Sequence, residues 1–136
     1  MHLVFWNVRY LNSEEATKSP EGLAVIAIFF KVTPRSNHAL EPVVKLLPHV
    51  RYKGQKRTLS LNLEKIIPWK LAPFYRYRGS LTTPPCAENV IWTVLDQPMH
   101  MSVSQYKMFV RNSKWDLNNY RPVQSMNGRP VELCNG

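Results

Sequence analysis

With 136 residues, the chain is long enough for one core of ordinary size. Its 44% hydrophobic and 20% charged content excludes a disordered or collagen-like chain. The net charge of +9 allows polyanion binding. However, the bases are scattered, with Lys53, Lys56 and Arg57 the tightest group and Arg76 and Arg78 a second pair. No nucleic-acid motif accompanies them, so a solvated basic surface is the simpler reading and no nucleic-acid partner is expected.

In chain order, HLVFWNV (2–8) is rich in β-formers and reads as a strand. In the polar stretch that follows, Ser13 is placed to cap a short helical turn, with Glu14 and Glu15 favoured by the helix dipole. Pro20 and Gly22 close it. LAVIAIFFKV (23–32) is apolar on both faces and reads as one strand, central in a sheet. Its longest apolar run, LAVIAIFF, has eight residues before Lys31, against the roughly 20 that span a bilayer, so no transmembrane segment is expected. The opening MHLVFWNVRY also lacks the basic leader of a signal peptide.

ALEPVVKLLPHV (39–50) spaces Leu40, Val43, Val44 and Leu47 as a helix, with Pro42 in the first turn and Pro48 at its end. RYKGQKRT is a basic loop, and 59–68 is too mixed to assign. FYRYRGS (74–80) alternates as an edge strand would, and ENVIWTVL (88–95) is a strand. SVSQYKMFVRN (102–112) reads as a helix capped by Ser102, with Val103, Tyr106, Phe109 and Val110 on one face. The tail from Asn118 onward is turn-rich and reads as an irregular wrap.

Three features bear on chemistry. His2 and Val4 share one face of a strand, because side chains alternate with period two; a lone histidine there is usually structural. In GSLTTPP, proline after Thr83 restricts that residue to an extended conformation, so the turn can hold a hydroxyl in a fixed direction. Trp92 follows in a strand, where tryptophan is most often core.

With MHLVFWN, EGLAVIAIFFKV, YRGSLTTPPCAENVIWTVL and NYRPVQSMNGR in this order and spacing, the chain resembles the C-terminal half of an α-class carbonic anhydrase. The resemblance implies an α+β, mainly β fold: a large twisted, mostly antiparallel sheet with short surface helices, of which residues 1–136 form the C-terminal portion. It implies Zn²⁺ held by three histidines with water in the fourth position, and CO₂ and bicarbonate as substrate and product; this family supplies the standard example of a zinc-activated water. By position, His2 matches a zinc ligand. Thr82 matches the catalytic threonine that accepts a hydrogen bond from the zinc-bound hydroxide and donates one to a buried carboxylate. Thr83 matches the threonine beside it, and Val4, Val25, Leu81 and Trp92 match the apolar wall for CO₂. Asn119 and Arg121 match a structural polar cluster.

The chain also departs from the family. The other two zinc histidines, the buried carboxylate and the proton-shuttle histidine have no counterparts here, and His38, His49 and His100 match no ligand position. The expectation is therefore catalysis in a full-length parent, with this chain alone unstable, weak in zinc binding and inactive. A non-catalytic carbonic anhydrase-related binding module is the alternative. In secreted and membrane-anchored relatives a cysteine at the position of Cys86 pairs with one near the N-terminus. That implies a secreted or extracellular protein whose disulfide partner lies outside this chain. An inert thiol in a cytoplasmic protein is the alternative, and Cys134 matches no family role.

Overall fold

Residue alternation builds a sheet from four of the apolar segments and the tail. The computed structural model describes residues 1–67, 73–112 and 120–135. Strands β1 (His2–Trp6), β2 (Leu23–Ala27), β4 (Phe74–Gly79), β5 (Val90–Leu95) and β7 (Glu132–Cys134) form one five-stranded sheet in the order β1-β2-β5-β4-β7. The β1–β2, β4–β5 and β4–β7 pairs are antiparallel and β2–β5 is parallel. The sheet is thus mostly antiparallel, and the fold is mainly β with short helices, as expected.

The chain divides into two units. The first comprises Met1–Phe29, Lys70–Gln97 and Tyr120–Gly136, the second Phe30–Trp69 and Pro98–Asn119. The first contains the sheet and helix α1 (Ser13–Lys18). Asn12, not Ser13, caps α1: its side chain accepts from the Glu15 backbone N–H at 2.9 Å, which leaves Ser13 as the first helical residue.

The core of this unit is Ala16, Leu23, Val25, Ala27, Val90 and Trp92, with Tyr10, Tyr77, Leu81 and Val94 packed against it. Each large apolar side chain buried here contributes about 1.5–3 kcal/mol. Asn89 fastens α1 to the sheet. Its Nδ2 donates toward the carbonyls of Ala16, Thr17 and Ser19 at 2.8, 3.0 and 2.6 Å. An amide has two N–H groups, so three acceptors share them. Gly22 lets the chain pass this helix end, since a Cβ there would lie 1.7 Å from the Ala16 carbonyl oxygen.

The stretch expected to be one long strand is two. After β2 the chain leaves the sheet at Ile28, and β3 (Phe30–Thr33) pairs in parallel with β6 (Met99–Ser102) in the second unit. The apolar run from Leu23 to Phe30 conceals this break, because it continues past Ile28 into the first residue of β3. The strand β4 is not an edge: β5 covers one side along its length and β7 covers Phe74 to Arg76 on the other. The tail is accordingly part strand, because Glu132–Cys134 meets the donors and acceptors that β4 leaves open.

In the second unit, 3-10 turns at His38–Leu40 and Leu47–His49 flank helix α2 (Glu41–Leu46). Pro42 lies in its first turn, and Pro48 falls in the following 3-10 turn. Helix α3 (Val103–Asn112) is capped by Ser102, whose Oγ accepts from the Gln105 N–H at 3.2 Å. Its anticipated apolar face is turned differently: Val103 and Tyr106 are exposed and Gln105 is buried. The Gln105 amide accepts from Asn37 and Ser102 N–H groups and donates to the Asn37 carbonyl. Those bonds offset the cost of burying an amide. His100 lies in β6. Among the described residues no helix is long and apolar enough to cross a membrane.

Candidate functional site

Strand register sets the site. On one face of the sheet, Val4, Val25, Trp92 and Tyr77 form a row across four strands. The next row on that face is His2, Ala27, Val94 and Tyr75. A cavity of about 240 Å³ opens over the junction of the two rows. It is lined by His2, Ala27, Tyr77, Thr82, Trp92 and Val94, with Met1, Ile28 and Phe29 completing the wall.

His2, Thr82 and Trp92 are therefore brought together. The His2 ring meets Trp92 edge-on, with centroids 4.9 Å apart and planes at 78°. Tyr77 stacks on Trp92 with centroids 6.2 Å apart and planes at 8°. The Trp92 indole is buried and its Nε1–H donates to the Ser80 carbonyl at 3.1 Å, which fixes the ring. Burial lowers the pKa of His2 below its ordinary value. The imidazole is thus neutral near pH 7, the state in which it can donate a lone pair.

The loop that carries Thr82 is held from several directions. Leu81 N–H donates to the Ala87 carbonyl at 2.9 Å, and Cys86 N–H to the Thr83 carbonyl at 2.9 Å. The second bond closes a turn over 83–86 with a cis Pro84–Pro85 bond, the type VI arrangement. Arg121 reaches in from the C-terminal segment and donates to the Ser80 hydroxyl and the Leu81 carbonyl. The polar role expected of Arg121 takes this form, while Asn119 lies outside the described residues.

The remaining expected site residues stand apart from the cavity. Val4 is 60% exposed and Val25 is buried at 1%; both lie in the row of Trp92, but neither is among the residues that line the cavity. Leu81 is half-buried against the core, and Thr83 is exposed in the turn. Neither lines the cavity. Ala27, Tyr77 and Val94 do line it and were not singled out from the sequence. Ala27 and Val94 are each two residues beyond an expected wall residue, so alternation marks them once the register is known. A second hollow of about 730 Å³ lies between the β4–β5 face and segment 120–131, and Thr82, Tyr77, Trp92 and Val94 line both.

A family model for eukaryotic-type carbonic anhydrase matches residues 1–135. The chain belongs to the eukaryotic-type carbonic anhydrase family. Among its relatives, "Putative carbonic anhydrase 5" of Caenorhabditis elegans is 39% identical over 140 residues, covering 97% of this chain and 44% of the relative. "Carbonic anhydrase 6" of Canis lupus familiaris is 39% identical, covering 97% and 43%. "Carbonic anhydrase 12" of Homo sapiens is 35% identical, covering 96% and 40%. The chain thus spans less than half the length of the curated relatives it matches.

Carbonic anhydrase chemistry in this family uses zinc, and a catalytic zinc needs three protein ligands. Among the described residues no group of three His, Cys, Asp or Glu side chains could hold a metal ion. His2 supplies one imidazole, and the described residues do not fit a tetrahedral zinc site by themselves. Both cysteines are free thiols and half-buried.

Proposed function

We propose that this chain is the C-terminal portion of a single carbonic anhydrase domain in a longer protein, and that this protein carries out zinc-dependent reversible hydration of CO₂. The observation that carries the reading is the cavity shared by His2, Thr82 and Trp92. In this reading His2 is one metal ligand, and the other two come from outside the described residues. Zinc, when bound, would supply the activated water.

The residues of this chain prepare the surroundings. Trp92, Val94 and Ala27 give an apolar wall suited to a small, weakly polar gas. Trp92 also limits the directions in which the His2 ring can turn. Backbone bonds on both sides of Thr82 hold its exposed loop position beside the cavity, and in this reading its hydroxyl orients the reacting group. In this reading Thr83 and Leu81 flank Thr82 in the loop, and Val4 and Val25 continue the row of Trp92 and support the wall.

The test is stopped-flow CO₂ hydration by the longer protein. Thr82→Val should lower kcat/KM by about 10²-fold, and His2→Ala should remove zinc. Full activity in Thr82→Val, or full zinc content in His2→Ala, would reject the assignment. The chain alone should hold zinc weakly and below stoichiometry. A longer protein that folds but holds no zinc would support the non-catalytic binding module instead.

A secreted location rests on Cys86. Its half-buried free thiol is compatible with pairing to a cysteine outside this chain, although one relative is "Carbonic anhydrase 5A, mitochondrial" of Rattus norvegicus, so compartment varies among carbonic anhydrases. Alkylation of the unreduced longer protein separates the two cases: a blocked Cys86 supports secretion and a labelled one opposes it.

A further inference from the structure

The charge of the molecule is divided unevenly. The first unit carries Arg9, Lys18, Lys70, Arg76, Arg78, Arg121 and Arg129 against six carboxylates, a net +1. The second carries the remaining +8 of the +9 total. Every described lysine and arginine of the second unit is exposed. Among the described residues none of them forms an ion pair; the three pairs present are Lys18–Glu14, His38–Glu41 and Arg78–Glu21.

The densest part is the loop 51–57, which holds Arg51, Lys53, Lys56 and Arg57 with no carboxylate. All ten residues of 51–60 are exposed. The loop has a defined conformation. Gln55 N–H donates to the Tyr52 carbonyl at 3.1 Å, and the Gln55 side chain accepts from Tyr52 N–H at 3.0 Å. Gly54, at φ 87°, turns the chain between them. Arg57 is steadied by donating to the Lys56 carbonyl at 2.8 Å.

Four cations within seven residues lie inside about 20 Å of chain even if extended, and closer when turned. That spacing is comparable to the Debye length of about 8–10 Å, so their fields add. Uncompensated charge of this density costs self-repulsion, which an anionic partner relieves.

We infer that the turn at 51–57 anchors a binding surface for a linear sulfated polysaccharide. Its recognition chemistry is a row of sulfates that displaces the counterions of these side chains. The composition separates this from other polyanions. Single-stranded nucleic acid is held by cations interleaved with several stacking rings, and the turn has one ring, Tyr52. A membrane-surface segment sets bulky apolar side chains beside its cations, whereas the other residues of 51–57 are Tyr52, Gly54 and Gln55. The inference is independent of the proposed catalytic function, because it uses no residue of the cavity.

The experiment is surface plasmon resonance of the longer protein that carries this chain, over heparin, desulfated heparin and a duplex DNA of similar charge density. The protein should bind heparin and not the desulfated form. Arg51→Ala/Lys53→Ala/Lys56→Ala/Arg57→Ala should weaken binding at least about tenfold near 0.1 M salt, and lower the slope of log K on log salt by about 3. Lys53→Ala/Lys56→Ala should weaken it more than Arg9→Ala/Lys18→Ala, which removes the same charge from exposed positions of the first unit. No heparin binding at 50 mM salt, equal losses in the two double variants, or tighter binding to DNA than to heparin would each overturn the inference.

Discussion

Replacing Gly22 by alanine tests whether α1 is pinned to the sheet as described. The Cβ introduced would lie 1.7 Å from the Ala16 carbonyl oxygen and 2.6 Å from its carbon. Both are backbone atoms, so no rotamer change relieves the contact, and the helix end must withdraw by more than about 1 Å. Ala16 is fully buried, and its carbonyl is one of three that Asn89 engages. Withdrawal therefore adds a packing cost of about 1–3 kcal/mol to the weakening of one or two hydrogen bonds of about 1 kcal/mol each. The sum, about 2–5 kcal/mol, is a large part of the 5–15 kcal/mol that typically stabilises a domain. Urea unfolding followed by tryptophan fluorescence should show a midpoint lowered by 1 M or more, roughly, at unchanged m. Gly54→Ala is the control: its Cβ meets nothing within 4 Å, so only its φ is unfavourable, a cost of about 1 kcal/mol. If Gly22→Ala unfolds at the wild-type midpoint, the close approach of helix and strand is wrong.

Gly79→Ala would place a Cβ 2.9 Å from Tyr77 Cε2 and 3.0 Å from Trp92 Cδ1. It should tilt the indole, weaken its bond to Ser80 and cost about 1–3 kcal/mol; an unshifted Trp92 indole N–H resonance in NMR spectra would refute this. The Arg78 guanidinium beside Glu21 holds that carboxyl below its usual range, through their hydrogen bond first and charge second. A depressed folded pKa means the unfolded chain binds the proton more readily, so this contribution to stability is present above about pH 4.5 and fades as pH falls through the folded value. Carbon-detected NMR titration should find Glu21 low in the wild type and near its ordinary value in Arg78→Gln; equal values would reject the pairing.

The strands β1, β2, β4 and β5 were legible because alternation and β-branched runs report burial directly. The split at Ile28 was hidden, since the apolar run continues past it into the first residue of β3. Gln105 shows the same limit from the other side: a polar residue was buried because Asn37 and Ser102, distant in sequence or at a helix start, satisfy it. At the candidate site, His2, Thr82 and Trp92 were singled out through the family resemblance, since alone they read as a structural histidine, a strand-entry turn and a core tryptophan. Ala27, Val94 and Tyr77 were not, because a cavity wall depends on which rows face each other, and register is a property of pairing between distant segments.

The parallel partnership of β2 and β5 also governs how the molecule tolerates cutting. Leu23 lies beside Val90 and Ala27 beside Val94, while the uncovered stretch 51–60 falls between them in sequence. A protease entering at that stretch severs the covalent path and leaves this ladder untouched. The two fragments stay clasped to each other until denaturant, rather than peptide-bond scission, parts them.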